Sequence, residues 1–110
     1  AMIVQRSDRN YALVVIPGDR QLSLKKVGGV LGDKNVQMAN ERDVQRVTGY
    51  QVGAVSVLGF RRDDIPSYLD RQVLELERVV ISSGRPDTGL EMEPRDLLQA
   101  LDAQLDEFAY

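Results

Sequence analysis

The sequence predicts an α+β fold, a curved, mixed β-sheet with short helices around it. Two observations support this class. Short apolar segments of strand composition alternate with short amphipathic ones, and several links between them are only hairpin-sized. With 110 residues, 43% of them hydrophobic and 28% charged, the chain predicts one small globular domain over residues 1–110. Because the chain opens directly on an apolar strand, we expect a piece of a longer, possibly multidomain protein.

The first half predicts a hairpin followed by two capped helices. The strands are residues 1–4 and 11–16, joined by a polar turn over 6–10. Ser23 is the expected N-cap of a helix that ends before Gly32, and a short strand follows over 35–39. Asn40 and Gly49 are typical cap and terminator residues for a second helix over 41–48, whose buried stripe is Val44 and Val47.

The second half predicts shorter strands and one final helix. Residues 65–70 suggest an edge strand, because Pro66 cannot donate to a ladder. Residues 78–82 are the best candidate for a buried strand, and a turn over 85–89 leads to a short strand over 90–92. Pro94 fits the first turn of a helix that runs to about Asp102. We expect Leu105 and Phe108 to pack on the domain.

The stretch from Thr48 to Gly59 is the most informative part of the chain. It holds three glycines and one serine among apolar residues, and no periodicity defines one strand or helix. One interpretation is a tight loop followed by a short buried strand. The other is a loop whose amides face a ligand, since glycine lets the backbone approach another group. Local features leave both open.

Five motifs in order resemble the YbaK/ProX family of aminoacyl-tRNA editing domains, also called prolyl-tRNA synthetase-associated domains. The motifs are YALVVIPGD (11–19), LSLKKV (22–27), TGYQVG (48–53), ISSGR (81–85) and EPRDLL (93–98). Each is weak alone, whereas the ordered set spans nearly the whole chain. The resemblance implies a deacylase that removes a mischarged small amino acid from tRNA without a metal or other cofactor. It also implies the acceptor end of aminoacyl-tRNA, and other domains of the parent protein, as partners.

The resemblance also implies the site residues. Substrate contacts fall on Gly53, Ala54, Val55, Ser56 and Val57, facing Ser82, Ser83 and Gly84 across the main cavity. Val57 replaces a family proline, and Gly89 or Thr88 stands where some members carry an acidic or histidine side chain. The family lysine maps to Ala1 or just before it, so no catalytic residue is assigned. We therefore expect these 110 residues by themselves to be inactive. A degenerate sensor domain within a larger regulatory protein remains the alternative.

Charge is unevenly distributed along the chain. Residues 1–62 hold ten Lys or Arg against five Asp or Glu, and residues 63–110 hold four against twelve. A basic half fits contact with RNA, for which Arg20, Lys25 and Lys26 are the candidates near the pocket mouth. The alternative is that dispersed basic residues only solvate helix surfaces.

Composition excludes several functions for this chain. Without cysteine or histidine it has no thiol or imidazole catalyst, no disulfide and no thiolate or imidazole metal ligand. The carboxylate pairs Asp63/Asp64 and Asp102/Asp106 lack a cation-binding loop pattern and are interpreted as solvated surface. No apolar run approaches the roughly 18 residues of a membrane span, and no signal peptide is visible. We expect a cytoplasmic protein with no metal and no membrane partner.

Overall fold

The computed structural model describes residues 2–50, 65–85 and 88–110. Its elements in chain order are strands β1 (Met2–Gln5), β2 (Tyr11–Val15), helix α1 (Leu24–Leu31), β3 (Gln37–Met38), α2 (Glu41–Thr48), β4 (Ser67–Asp70), a 3-10 helix (Arg71–Glu75), β5 (Val79–Arg85), β6 (Thr88–Met92), α3 (Pro94–Leu101) and β7 (Gln104–Asp106). Five of these strands form a mixed sheet in the order β3-β1-β2-β4-β7, and β5 and β6 form a separate ribbon. The predicted α+β class and mixed sheet are confirmed.

The predicted hairpin of β1 and β2 is the starting unit of the sheet. Met2 pairs with Val14 and Gln5 with Tyr11 in an antiparallel register. The turn is closed by the Arg6 amide, which donates to the Asn10 carbonyl at 2.7 Å. Arg9 takes the left-handed conformation at φ 70°. The polar turn predicted from the sequence is therefore confirmed.

Strand β4 lies inside the sheet, so the edge-strand prediction for residues 65–70 is wrong. It pairs in parallel with β2 on one side and with β7 on the other. Pro66 precedes the strand and so withholds no donor from the ladder, while its carbonyl accepts from the Leu13 amide at 2.9 Å. Strand β7 was not predicted from the sequence, and it forms the edge of the sheet next to β4.

The two faces of the sheet bury different layers. Along β1 and β2, Ile3, Leu13 and Val15 face one hydrophobic cluster, and Val4, Ala12 and Val14 face another. Because successive strand residues point to opposite faces, these clusters lie on opposite sides of the sheet. The first cluster packs against α2, the 3-10 helix, the β5–β6 ribbon and α3. The second packs against α1 and the C-terminal residues Phe108 and Ala109.

Helix ends follow the predicted caps. The Ser23 hydroxyl accepts from the Lys26 amide at 3.2 Å, and the Asn40 side chain accepts from the Asp43 amide at 2.8 Å. Gly32 and Gly49 end α1 and α2 in the left-handed conformation, at φ 68° and 79°. Side-chain acceptance at the start and glycine at the end satisfy backbone groups that the helix leaves unpaired. Both helix predictions are confirmed.

The β5–β6 ribbon is less buried than the sequence suggested. Val79 is buried, but Val80 is 72% exposed, because the ribbon packs on the core with only one face. The strand predicted over 78–82 is present as part of β5, but the prediction that it is buried is wrong at Val80. Strand β6 begins at Thr88, two residues before the predicted start. The final helix α3 matches its prediction, with Pro94 in its first turn and Leu97 fully buried.

Asp70 attaches the C-terminal segment, residues 107–110, to the sheet. Its carboxylate is fully buried, and its two oxygens accept from the backbone amides of Gln72, Phe108 and Ala109 at 2.8–2.9 Å. Phe108 is likewise fully buried and meets Tyr68 edge-on, with ring centroids 5.7 Å apart. The predicted packing of Leu105 and Phe108 on the domain is confirmed.

Candidate functional site

The predicted substrate segments are described on one side only. Gly53, Ala54, Val55, Ser56 and Val57 lie outside the described residues, as does Ala1, the position to which the family lysine maps. Their flanking residues are informative, since Tyr50 and Ile65 both pack in the cluster that supports the β5–β6 ribbon. Tyr50 and Ile65, the described residues on either side of this segment, therefore lie on the face of the sheet that carries the ribbon. The predicted contact across a cavity stays a prediction.

Ser82, Ser83 and Gly84 lie in the only irregular part of the described β5–β6 ladder. Ser82 pairs with Gly89 and Arg85 with Thr88, and the register shifts between these two pairs. Such an irregularity leaves backbone groups of Ser83 and Gly84 outside the regular ladder, and β-bulges are frequent next to active sites. The segment therefore places small residues at a break in the ladder, and their contact with a ligand stays a prediction.

The predicted RNA-contacting residues lie in the other layer. Arg20 is exposed in the turn after β2, and Lys25 and Lys26 are exposed in the first turn of α1. The Lys26 ammonium group donates to the Ala109 carbonyl at 2.9 Å, and this hydrogen bond connects α1 to the C-terminal segment. Because α1 and the β5–β6 ribbon pack on opposite faces of the sheet, the structure does not bring Lys25 and Lys26 together with the described substrate segment Ser82–Gly84.

A groove beside α1 was missed by the sequence analysis. It encloses about 590 Å³ and is lined by Leu24, Lys25, Gly28, Gly29, Gly32, Asp33, Lys34 and Val36. The sequence signal at this place is the glycine-rich run 28–32, which lacks the Gly-Lys-Ser/Thr pattern of a phosphate loop. What the sequence could not show is that Lys34 and Val36 return beside the helix.

Asp33 holds the loop of this groove in place. Its carboxylate accepts from the Ser7 amide at 2.8 Å, the Ser7 hydroxyl at 2.9 Å and the Asn35 amide at 2.9 Å. The backbone hydrogen bond from Ser7, followed by that from Asn35, lowers the pKa of Asp33 below its ordinary value of 3.8. The Arg6 guanidinium adds to this effect. The carboxylate is therefore ionised near neutral pH, and its oxygens already accept hydrogen bonds from the β1–β2 turn and from its own loop.

Metal sites and membrane-spanning helices are both absent from the described ranges. Within residues 2–50, 65–85 and 88–110, no three Asp, Glu, His or Cys side chains come together as a possible metal site. None of the described helices has the length and apolar content needed to cross a membrane.

The fold and the ordered motifs together define the class of protein. The family model for the aminoacyl-tRNA editing domain matches residues 1–100. The chain belongs to the aminoacyl-tRNA editing domain family. One of the solved structures with a similar fold is that of a protein described as a candidate trans-editing enzyme for prolyl tRNA synthetase. The TM-score is 0.90 at 24% identity, over 99% of this chain and 68% of that one.

Curated relatives are longer proteins with translation-related names. EbsC of Enterococcus faecalis, named as a candidate Cys-tRNA(Pro)/Cys-tRNA(Cys) deacylase, is 30% identical over 95 residues. That alignment covers 86% of this chain and 57% of EbsC. A proline–tRNA ligase of Caldicellulosiruptor saccharolyticus is 31% identical over 85 residues, which cover 77% of this chain and 14% of the ligase. The chain thus spans just over half of one relative and a small part of the other.

Proposed function

We propose that this domain hydrolyses the ester that links a wrongly attached small amino acid to tRNA, and that it does so in the cytoplasm, where tRNA is charged. The observation that carries this proposal is the editing-domain match over residues 1–100. The deacylase name of one relative and the synthetase name of the other agree with it. Partners on this account are the acceptor end of aminoacyl-tRNA and neighbouring domains of the parent protein.

The proposed reaction is a simple hydrolysis. Water adds to the ester carbonyl, its oxygen gains negative charge, and the bond to the terminal ribose oxygen breaks. The products are a free amino acid and a tRNA hydroxyl, which takes up a proton. Preorganised N–H donors aimed at the developing oxyanion are worth about 10²–10³ in rate for each donor. The backbones of Gly53–Val57 and of Ser83–Gly84 are our candidates for binding and orienting the ester.

Small side chains suit this role. Gly53, Ala54, Ser56, Ser83 and Gly84 leave room for the terminal adenosine and a small aminoacyl group. Val57 adds an amide donor where the family has proline, and it leaves the loop less restricted at φ. Because the chain has no thiol or imidazole, its ester hydrolysis depends mainly on holding the ester and the attacking water in the correct geometry. A looser loop therefore predicts slower turnover than in members that carry the proline.

The test is a deacylation assay with Cys-, Ala- and Ser-tRNA(Pro). It compares these 110 residues with the same residues extended upstream through any native lysine that precedes Ala1. We expect hydrolysis by the extended protein and a rate about 10²–10³ lower for the chain alone, since one oxyanion donor is then missing. Gly53→Val should remove activity from the extended protein. Gly18→Val is the matched control, because a side chain at Gly18 meets open space.

One result would contradict the proposal, and a second would contradict only its mechanism. Tight binding of aminoacyl-tRNA by both proteins without hydrolysis would establish a binding or sensor domain instead. Full turnover by the unextended chain would show that the upstream lysine is not needed, and would overturn our account of how the oxyanion is stabilised.

A further inference from the structure

We propose that the groove beside α1 binds the sugar–phosphate backbone of tRNA, with Lys25 and Lys34 as its phosphate contacts. The inference rests on the proposed function, since it names a second contact surface for the same substrate. It adds Lys34 and a glycine wall to the predicted RNA-binding residues, and it places the contact in a defined cavity of about 590 Å³.

The shape of the groove depends on its glycines. A Cβ added at Gly29 or Gly32 would meet nothing within 4 Å, so these positions leave the wall of the groove open. Gly28 has a different role, because a Cβ there would lie 2.5 Å from the Asp33 carbonyl oxygen. The absence of a side chain at Gly28 lets the loop after α1 approach the helix, and this brings Lys34 and Val36 into the same cavity as Lys25.

The charges in the groove favour an anion. Lys25 and Lys34 are exposed and make no hydrogen bond or ion pair with the described part of the chain. No acidic residue lies in the first turn of α1. Asp33 is the one carboxylate in the lining, and its oxygens already accept three hydrogen bonds from Ser7 and Asn35. The two ammonium groups are therefore available to a ligand, while the carboxylate is occupied.

A polynucleotide fits these features better than a small anion does. The groove is open to solvent, and its two lysines come from different elements, so each can contact a different phosphate of one strand. Leu24, which is 37% exposed, and Val36 add an apolar surface for a ribose or base between the phosphates. Nucleic-acid grooves combine positive charge along the backbone with such nonpolar contacts.

The groove also suits a contact away from the reacting ester. It lies in the α1 layer, across the sheet from the β5–β6 ribbon that carries Ser83 and Gly84. The domain measures 34 × 28 × 24 Å, so a strand held at both places has to pass around an edge of the sheet. Binding energy from this remote contact can orient the ester end of the tRNA.

The experiment measures the affinity of an unacylated tRNA(Pro) transcript over a series of salt concentrations. The variants are Lys25→Gln, Lys34→Gln, the double variant and Gly29→Glu, which places an acidic side chain in the groove. Arg95→Gln is the control, since Arg95 is exposed on α3 and has no partner in the described part of the chain. Folding of each variant is verified by thermal unfolding.

We expect each lysine substitution to lower the slope of log affinity against log salt by about 1, and the double variant by about 2. Gly29→Glu should weaken binding at least tenfold without a loss of melting temperature, and Arg95→Gln should leave the slope unchanged. Slopes equal to wild type in both lysine variants, with deacylation intact, would overturn the groove proposal alone. Absence of both tRNA binding and deacylation would overturn this proposal and the proposed function together. Loss of AMP binding in the lysine variants, with RNA slopes unchanged, would identify a small-ligand site and contradict the inference.

Discussion

At the scale of single residues, neighbouring glycines in α1 have opposite roles. Gly28 is buried against the Asp33 carbonyl, whereas Gly29 faces open space one residue later. Both lie in the interior of an eight-residue helix, where glycine costs backbone entropy. What differs between them is the tertiary contact, which only the packed structure shows.

We predict opposite stability changes for the two alanine variants. Gly29→Ala should raise the free energy of unfolding by about 0.5–1 kcal/mol, because alanine is the better helix former. Gly28→Ala should lower it by about 1–3 kcal/mol, because the new methyl group forces the loop away from the helix. Urea unfolding of both variants beside wild type measures this. A gain in stability for both would mean that the Asp33 loop moves without cost.

Asp70 is the second residue with a role beyond its local sequence. Its buried carboxylate accepts from three backbone amides, two of them nearly forty residues away. An asparagine side chain has one acceptor oxygen instead of two, so its NH₂ group faces at least one backbone N–H, which loses its acceptor. An unpaired buried donor costs about 1–3 kcal/mol.

Asp70→Asn should therefore lower the free energy of unfolding by about 1–3 kcal/mol, as measured by urea unfolding. Asp102→Asn is the matched control. Asp102 is exposed in the left-handed conformation at φ 49°, which asparagine also adopts readily, so its change should stay within about 0.5 kcal/mol. Equal effects of the two substitutions would show that the buried hydrogen bonds of Asp70 contribute nothing specific.

At the scale of elements, Asp33 connects the β1–β2 turn to the loop after α1. Its carboxylate accepts from Ser7 in the turn and from Asn35 in its own loop. These hydrogen bonds favour the ionised form and lower the pKa of Asp33 in the folded protein below 3.8. The connection between the two elements is therefore expected to depend on pH.

We predict that stability from Asp33 is present above pH 3.8 and is lost as the pH falls through the lower pKa of the folded state. The sign follows because the folded protein binds this proton more weakly than the unfolded chain does. The difference in unfolding free energy between wild type and Asp33→Asn should be largest above pH 5 and shrink at lower pH. A constant difference for Asp33→Asn would contradict the coupling.

At the scale of the whole molecule, the C-terminal segment closes the second layer. Residues 101–110 extend beyond the family match, yet they include β7 and the C-terminal segment with its fully buried Phe108. The Ser23 amide donates to the Phe108 carbonyl at 2.8 Å, and the Lys26 ammonium group donates to Ala109. The segment thus helps to hold the start of α1, where the proposed RNA groove begins.

Phe108→Ala should lower the free energy of unfolding by about 3–5 kcal/mol, because it removes a buried ring and leaves a cavity. Tyr110→Ala, at a position 70% exposed, should change it by less than about 0.5 kcal/mol. Chemical denaturation of both variants makes the comparison. A small effect at Phe108 would mean that the C-terminal segment is dispensable for the fold.

The sequence by itself determined the local elements and the family. Ser23, Asn40, Gly32, Gly49 and Pro94 act through their nearest neighbours in the chain, so caps and helix ends could be predicted from residue type. The ordered motifs identified the editing domain before any contact was known. The predicted substrate-binding residues follow from that resemblance alone, because no local physical signal selects Gly53–Val57 as a ligand loop.

Only the tertiary structure decided how these elements pair and which surfaces they create. The edge prediction at Pro66 and the burial prediction for β5 were wrong because strand partners are chosen by long-range packing. Residue type and position do not distinguish Asp70 from any other strand-end carboxylate, since two of its three amide donors lie at the C-terminal end of the chain. Lys25 and Lys34 line one groove because Gly28, which has no side chain, lets the Asp33 carbonyl pack closely against α1. Contacts between distant residues depend on the shape of the folded chain, which residue type and spacing do not specify.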